Sequence, residues 1–397
     1  MTSPWGILAL ILAVQTVINI GPMGLPAIAP LIRDDLNLSL TQAGSFLSAY
    51  YVGPILMSFP AGWLADRWGI RRTMVAGQVV IALGLLAAAF APSFAVLVGL
   101  TIVAGVGYGM LNPTTTKAII AWFPHRHRAT AVGLKQTGLP FGGVLGAAAL
   151  PLVGLALGWR AALISSAAAI LIFCFVTLLF YRDPPDLVRP SAAGALSMVR
   201  TVLASPALWW VALATLIFAG LQTVWLSFLV LYLHEIVGLS LVVAAGYLAQ
   251  AQVTGILGRV VFGLLSDRVF GGRRRIVLFV AGVGSMACSI TMAATGPGTP
   301  PWLLSILTLV FGFVGIGWNG VQHTLMAELA GARAAGTAVG LGLAVSSLGV
   351  TLGPPVFGWA VERIGSYRGA WVGLAATMAV ALGLLARVRE RAPFAEG

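Results

Sequence analysis

Charge is what this sequence has least of. Lysine, arginine, aspartate and glutamate together make up 9% of its 397 residues, against about 25% in an ordinary soluble domain. A water-facing surface cannot be built from so little, and 59% hydrophobic residues point the same way. The scarcity is uneven. Lys117 and Lys135 are the only lysines, and none of the eleven acidic residues falls in the middle of an apolar run. There are two cysteines, Cys174 and Cys288, each inside an apolar run. They read as small apolar filler rather than a disulfide. No Gly-Lys-Ser/Thr occurs, which excludes a P-loop and ATP drive. Nucleophile–base and metal-ligand clusters are missing too, so an intramembrane enzyme is disfavoured and no cofactor or metal is expected.

What the chain has is long apolar runs. Twelve are long enough to span a membrane, which takes roughly 20 residues each. They lie at 5–29, 42–63, 74–92, 94–121, 129–154, 159–181, 207–233, 241–265, 275–295, 302–327, 335–358 and 368–388. Unbroken runs of this length are helices, because barrel strands alternate in short segments. The expectation is an all-α integral membrane protein. The first run is long enough to span and has no charged leader, so it does not read as a cleavable signal peptide. The longest polar gap, 182–206, opens with Arg-Asp-Pro-Pro-Asp and continues as a short amphipathic stretch. It divides the chain into 1–181 and 207–397, joined by a linker that carries one interfacial helix.

The two parts repeat each other. Gly62-Trp-Leu-Ala-Asp66-Arg67-Trp-Gly69-Ile-Arg71-Arg72 returns as Gly263-Leu-Leu-Ser-Asp267-Arg268-Val-Phe-Gly271-Gly-Arg273-Arg274-Arg275. Thr130-Ala-Val-Gly-Leu134 returns 207 positions on as Thr337-Ala-Val-Gly-Leu341, and Trp159-Arg160-Ala-Ala returns 208 positions on as Tyr367-Arg368-Gly-Ala. Repeats on this scale indicate two pseudo-symmetric six-helix bundles. Gly105, Gly107 and Gly109 sit inside a run with no strand before them, so they read as helix-packing positions and not as a nucleotide fingerprint.

The duplicated Gly-x3-Asp-Arg-x-Gly-x-Arg-Arg pattern resembles the loop between helices 2 and 3 of the major facilitator superfamily, and its echo between helices 8 and 9. The first copy matches in full; the second carries one inserted residue. The resemblance implies a secondary transporter with helices 1, 4, 7 and 10 lining a cavity between the halves. It also implies a cytoplasmic gate at Asp66, Arg67, Arg71, Asp267 and Arg268, where the loop aspartate helps to latch the two halves.

Orientation follows from arginine. Alternate loops carry sixteen basic residues on one side and four on the other, which by the positive-inside rule places both termini in the cytoplasm. The net charge of +12 is therefore mostly a topology signal. It is spread over short loops, so no nucleic-acid partner is implied. A multi-pass protein of the bacterial inner membrane is expected, acting as a monomer within the lipid bilayer.

The site candidates are the polar residues inside the runs. Lys117, Lys135 and Arg259 are in-span cations without an in-span carboxylate. Such a charge costs about 2.5–3.5 kcal/mol at a helix centre, and attraction to an anion about 4 Å away is on the order of 4 kcal/mol at an effective dielectric near 20. A positive cavity selects a negative solute. Lys117 is close enough to a span end to snorkel, which leaves Lys135 and Arg259 as the substrate ligands, with Gln252 on the face of Arg259. The alternative for either cation is a bond to helix-end carbonyls that holds the bundle together. Further candidate contacts are Asn19 beside Gln15, Asn112 beside Thr116, Gln222 with Trp225, and Trp318 with Asn319, a set on each expected lining helix. His323 is the one histidine inside a run, and an imidazole with an unperturbed pKa near 6.5 is the natural carrier of a coupled proton.

Arg259 is similar in place to the basic residue of helix 8 in organic-anion and nitrate carriers. Oxalate/formate carriers pair it with a lysine on helix 11. Segment 11 here has none, and Lys135 lies on segment 5, its pseudo-symmetric mate. The expected function is transport of a small organic anion, a mono- or dicarboxylate, by symport or antiport. The alternative is a drug/proton efflux antiporter. Those carry Gly-x3-Gly-Pro-x2-Gly-Gly on helix 5, where this chain reads Gly138-Leu-Pro140-Phe-Gly142-Gly143. A non-transporting receptor is the reading from another class, and binding without counterflow would reveal it.

Overall fold

The computed structural model describes residues 3–183, 195–331 and 334–390. Among them there are helices and no strand. The chain forms two compact units. One is Met1–Ser191 with Ser240–Ala249; the other is Ala192–Leu239 with Gln250–Gly397.

The first unit contains α1 (Pro4–Leu36), α2 (Leu40–Ala49), α3 (Val52–Trp68), α4 (Ile70–Ala88), α5 (Phe94–Trp122), α6 (His125–Gln136), α7 (Gly138–Leu157) and α8 (Trp159–Phe180). Helix α1 outruns its apolar stretch and keeps Pro22, Pro26 and Pro30 inside it, which is tolerated in spans where neighbours re-satisfy the freed backbone groups. It stops at Asn37, in the left-handed region at φ 49°. A capping box then starts α2: Gln42 N donates to Ser39 Oγ at 3.2 Å, and Ser39 N to Gln42 Oε1 at 2.9 Å. The second apolar run is broken at Tyr50–Tyr51 into α2 and α3. The fifth is divided at Thr137 into α6 and α7.

Glycine sets the closest approaches. A Cβ on Gly142 would meet the carbonyl of Thr16 and the Cβ of Asn19, and one on Gly146 would strike Ile20 and Gly24. So α7 lies directly on α1. Gly105 and Gly109 admit the backbones of Tyr50 and Gly53, while Gly107 admits that of Gly77. Small residues let helices meet where lipid supplies no hydrophobic drive between them.

The second unit holds α9 (Ala195–Leu203), α10 (Pro206–Glu235), most of α11 (Leu241–Leu264), α12 (Arg274–Ala293), α13 (Pro301–Phe311), α14 (Asn319–Ala330), α15 (Ala335–Ile364) and α16 (Tyr367–Ala386). The helix expected in the polar gap is α9, whose Leu203 carbonyl accepts from Trp209 Nε1 at 2.9 Å. Two short π-helical stretches interrupt the pattern, Leu265–Val269 after α11 and Gly312–Ile316 after α13. The seam of α1 with α7 recurs here, with Gly349 and Gly353 of α15 against Leu216 and Gly220 of α10. Among the described residues eleven helical segments are long and apolar enough to cross a membrane, while α2 and α3, into which the second apolar run is split, are each shorter than a span. Both cysteines are free and buried.

Candidate functional site

In the first unit the polar interior gathers around α5. Lys135, in the last turn of α6, is fully buried. Its Nζ donates to Asn112 Oδ1 at 2.7 Å, Thr116 Oγ1 at 2.7 Å and the Asn112 carbonyl at 3.1 Å. Asn112 and Thr116 are one turn apart on α5, so their side chains meet the ammonium together. All three acceptors are neutral, and all three N–H bonds of the ammonium are used. Lys135 thus ties α6 to α5 while its charge stays uncompensated by any carboxylate contact among the described residues.

Asn19 makes a second link. Its Nδ2 donates to the Gln15 carbonyl at 2.7 Å, and its Oδ1 accepts from Tyr108 at 3.1 Å. Gln15 is fully buried, with neither amide atom bonded among the described residues. Tyr108 was not a sequence candidate, because it sits within the glycine triplet read as packing. Its spacing of four from Asn112, on the same face of α5, is the signal that could have found it.

In the second unit the π-stretch Gly312–Ile316 shapes the site. Widening a helix frees carbonyls from their usual partners, and two side chains just beyond collect them. Trp318 Nε1 donates to the Gly315 carbonyl at 3.0 Å, and Asn319 Nδ2 to that of Ile316 at 3.1 Å. The same donors converge on Gln222 Oε1 of α10, at 3.0 and 3.2 Å. Gln222, Trp318 and Asn319 are therefore one network. Trp225 lies outside it: its indole stacks on Phe311 at 4.0 Å, bonds Ser289 Oγ at 2.9 Å and packs on Trp371. That is the interior of the unit, one helical turn away from Gln222.

Arg259 on α11 is half-buried and interacts electrostatically with His323 of α14. His323 Nδ1 has no hydrogen-bond partner among the described residues, and neither does Nε2 of the buried Gln252.

Of the gate residues, the Asp66 side chain lies outside the described residues, and Arg67 and Arg268 are exposed. Asp267 pairs with Arg274, which also reaches Glu328 Oε1 at 3.2 Å. Each copy of the loop motif is clasped by an acid that follows the last span of its own unit. Arg71 N donates to Asp183 Oδ1 at 2.9 Å, and the Arg71 guanidinium bonds the Leu178 carbonyl. Arg275 N donates to Glu390 Oε1 at 2.7 Å, and its guanidinium bonds the Val388 carbonyl at 2.6 Å. Asp183 and Glu390 are 207 positions apart. Each places a carboxyl at a helix N-terminus, where free N–H groups attract it. Burial raises the carboxyl pKa of Glu390 despite its bond from Arg275.

Residues 11–354 match the family model described as Major Facilitator Superfamily. The chain is 30% identical over 363 residues to a probable sulfoacetate transporter of Cupriavidus necator, covering 85% of this chain and 83% of that protein. It is 25% identical to the hexuronate transporter of Bacillus subtilis, covering 89% and 86%, and 28% identical to monocarboxylate transporter 13 of Bos taurus, covering 81% and 74%. Among solved structures it resembles a bacterial homologue of the human lysosomal transporter Spinster, with a TM-score of 0.82 at 18% identity over 96% of each chain.

Proposed function

Because the chain belongs to the major facilitator superfamily, and is a transporter rather than an enzyme, we propose that it carries a small organic anion, a mono- or dicarboxylate, by alternating access. The observation that carries this reading is the imbalance of charge within the spans. Lys135 is enclosed by neutral oxygens, and Arg259 has the imidazole of His323 as its electrostatic neighbour. No acid falls in the middle of any apolar run. An anion at about 4 Å from Arg259 gains on the order of 4 kcal/mol at an effective dielectric near 20, and the enclosed Lys135 adds a smaller attraction from farther away. The relatives support the class, since sulfoacetate, hexuronates and monocarboxylates are all anions. None of these names favours drug/proton efflux.

In this reading residues 1–181 and 207–397 act as the two halves, 182–206 is a cytoplasmic linker, and both termini face the cytoplasm. Arg259 contacts the anion directly, and Lys135 adds its field from within the first half. Asn19, Asn112, Gln222, Gln252, Trp318 and Asn319 supply neutral hydrogen bonds, and Trp225 supports the pocket from behind. His323 takes the coupled proton where coupling occurs. Asp66, Arg67, Arg71, Asp267 and Arg268 gate the cytoplasmic side. The test is a thermal-shift screen of purified protein against mono- and dicarboxylates, since a ligand of the native state raises stability by mass action. Stabilisation by carboxylates and not by neutral isosteres is expected; the reverse order would sink the reading.

A further inference from the structure

The internal repeat exposes one place where the two units part company. Lys135, Asn112 and Thr116 of the first unit correspond, each 207 positions on, to Gly342, Asn319 and His323 of the second. Where the first unit inserts a lysine, the second has no side chain at all. The room is taken by Gln322: a Cβ built on Gly342 would lie 2.8 Å from Gln322 Nε2 and 3.5 Å from Met326 Cε. Gln322 is 1% exposed, and neither its Nε2 nor its Oε1 has a hydrogen-bond partner among the described residues. Nδ1 of His323, the next residue, has none either.

A buried amide left unbonded at both ends is destabilising unless something completes it. The chemistry of the completing group follows from the amide. It offers one acceptor and two donors, and which end points where is interchangeable. A carboxylate only accepts and would leave Oε1 unpaired. A cation would be repelled by Arg259, the electrostatic neighbour of the adjacent His323. An apolar group would satisfy neither end. A hydroxyl both donates and accepts.

We propose that Gln322, in the room left by Gly342, binds an uncharged hydroxyl of the transported anion, so that the carrier prefers hydroxylated carboxylates to their deoxy counterparts. The inference rests on the anion reading and refines it. Arg259 holds the charged end through its position beside His323, and Gln322 reads the substituent from the adjacent face of α14. The preference is a property of the second unit alone, because in the first unit Lys135 fills the corresponding position.

The experiment uses the full-length protein in nanodiscs and pairs of probes that differ by one hydroxyl: lactate with propionate, and malate with succinate. Dissociation constants come from ligand-dependent thermal shifts. The parent is expected to bind the hydroxylated member about tenfold more tightly, the worth of one net hydrogen bond. Gln322→Leu should bring that ratio to about one while leaving the deoxy member's affinity unchanged. Gly342→Ala, which crowds the amide without removing it, should narrow the ratio and serves where the leucine variant does not fold. A ratio that persists in Gln322→Leu overturns the proposal and means that the amide holds only a buried water. Equal binding of both members by the parent overturns this inference and leaves the anion reading standing. Failure of every probe to bind overturns both.

Discussion

Lys135 offers the sharpest separation of structural from functional charge. Its ammonium is fully enclosed, and Asn112 and Thr116 take all of its N–H bonds. An anion therefore feels it across a layer of protein atoms, at roughly 8 Å, where the attraction at an effective dielectric near 20 is about 2 kcal/mol. Arg259 is only half-buried, and a guanidinium in contact at about 4 Å contributes about 4 kcal/mol on the same scale. Lys135→Gln should then weaken anion binding about thirtyfold, and Arg259→Gln about a thousandfold. Stability should move less. Losing the ammonium removes charge-assisted bonds worth about 1.5–3 kcal/mol each, but it also removes the cost of about 2.5–3.5 kcal/mol for a cation in the membrane. Glutamine keeps a donor for Asn112 Oδ1, so thermal unfolding should shift by only a few degrees. The assay is carboxylate titration by thermal shift, with counterflow in proteoliposomes as the functional readout. Equal losses in the two variants would refute the argument, because the ammonium would then have to touch the anion. No loss at all in Lys135→Gln would reduce that residue to a tie between α5 and α6.

Other consequences follow from the same geometry. Gly142→Ala places a methyl 2.6 Å from the Cβ of Asn19 and should destabilise by about 1–3 kcal/mol. Gly133→Ala, inside α6 with nothing within 4 Å, should match or exceed the parent in the same melt, since alanine is favoured over glycine in a helix by about 0.5–1 kcal/mol. Glu390 has a carboxyl pKa raised by burial, so the folded state holds its proton more tightly than the unfolded chain. That contribution is complete below the ordinary glutamate value and is lost as pH rises through the raised one. Glu390→Gln should accordingly match or exceed the parent's stability at neutral pH and lose that advantage on acidification. A variant that is weaker at neutral pH and recovers in acid would show the opposite shift. Asp66→Asn should slow transport without abolishing anion binding, and an unchanged turnover would remove Asp66 from the gate. His323→Gln should abolish the pH dependence of uptake while retaining anion exchange; full pH dependence in that variant would place the proton elsewhere.

The spans were legible because membrane physics writes them in long apolar runs, and the halves because the loop motif and Thr-Ala-Val-Gly-Leu occur twice. What could not be read depends on partners distant in sequence. The break at Tyr50–Tyr51 has a local cause in Pro54, which has no N–H for the Tyr50 carbonyl four residues before it; what the sequence does not show is that Gly105 lets α5 reach that carbonyl. The π-stretch at Gly312–Ile316 leaves no compositional mark beyond its glycines, yet it decides what Trp318 and Asn319 can bond. A spacing of three suggested that Gln222 and Trp225 share a face. The structure turns Trp225 inward onto Phe311, because two aromatic rings and Ser289 wait there. The acids Asp183 and Glu390 looked like loop residues, since their N–H partners at Arg71 and Arg275 lie more than a hundred positions away.

Pseudo-symmetry explains why the chemistry was harder to read than the fold. Features that must be built twice, such as the glycine seams of α1 with α7 and α10 with α15, obey packing rules that act alike on both units. Features that recognise a solute need not be duplicated, because a small anion presents different groups to different walls. The departures from the repeat are therefore where function should be sought. Lys135 against Gly342 is one departure, and it replaces a buried charge with a glycine on which the neutral amide of Gln322 packs. Arg259 is another: the loop motif beside it repeats at an offset of 201, which sets Ser58 opposite, so its guanidinium has no counterpart in the first unit. A chimera tests the idea at its root. Gly342→Lys with Gln322→Thr rebuilds the first unit's arrangement in the second, where Asn319 and His323 stand ready as its acceptors. If asymmetry carries specificity, that double variant should lose its selectivity among anions, with its melting temperature checked alongside because the new ammonium stands near Arg259. Retained selectivity would mean that the repeat's departures at these positions are drift.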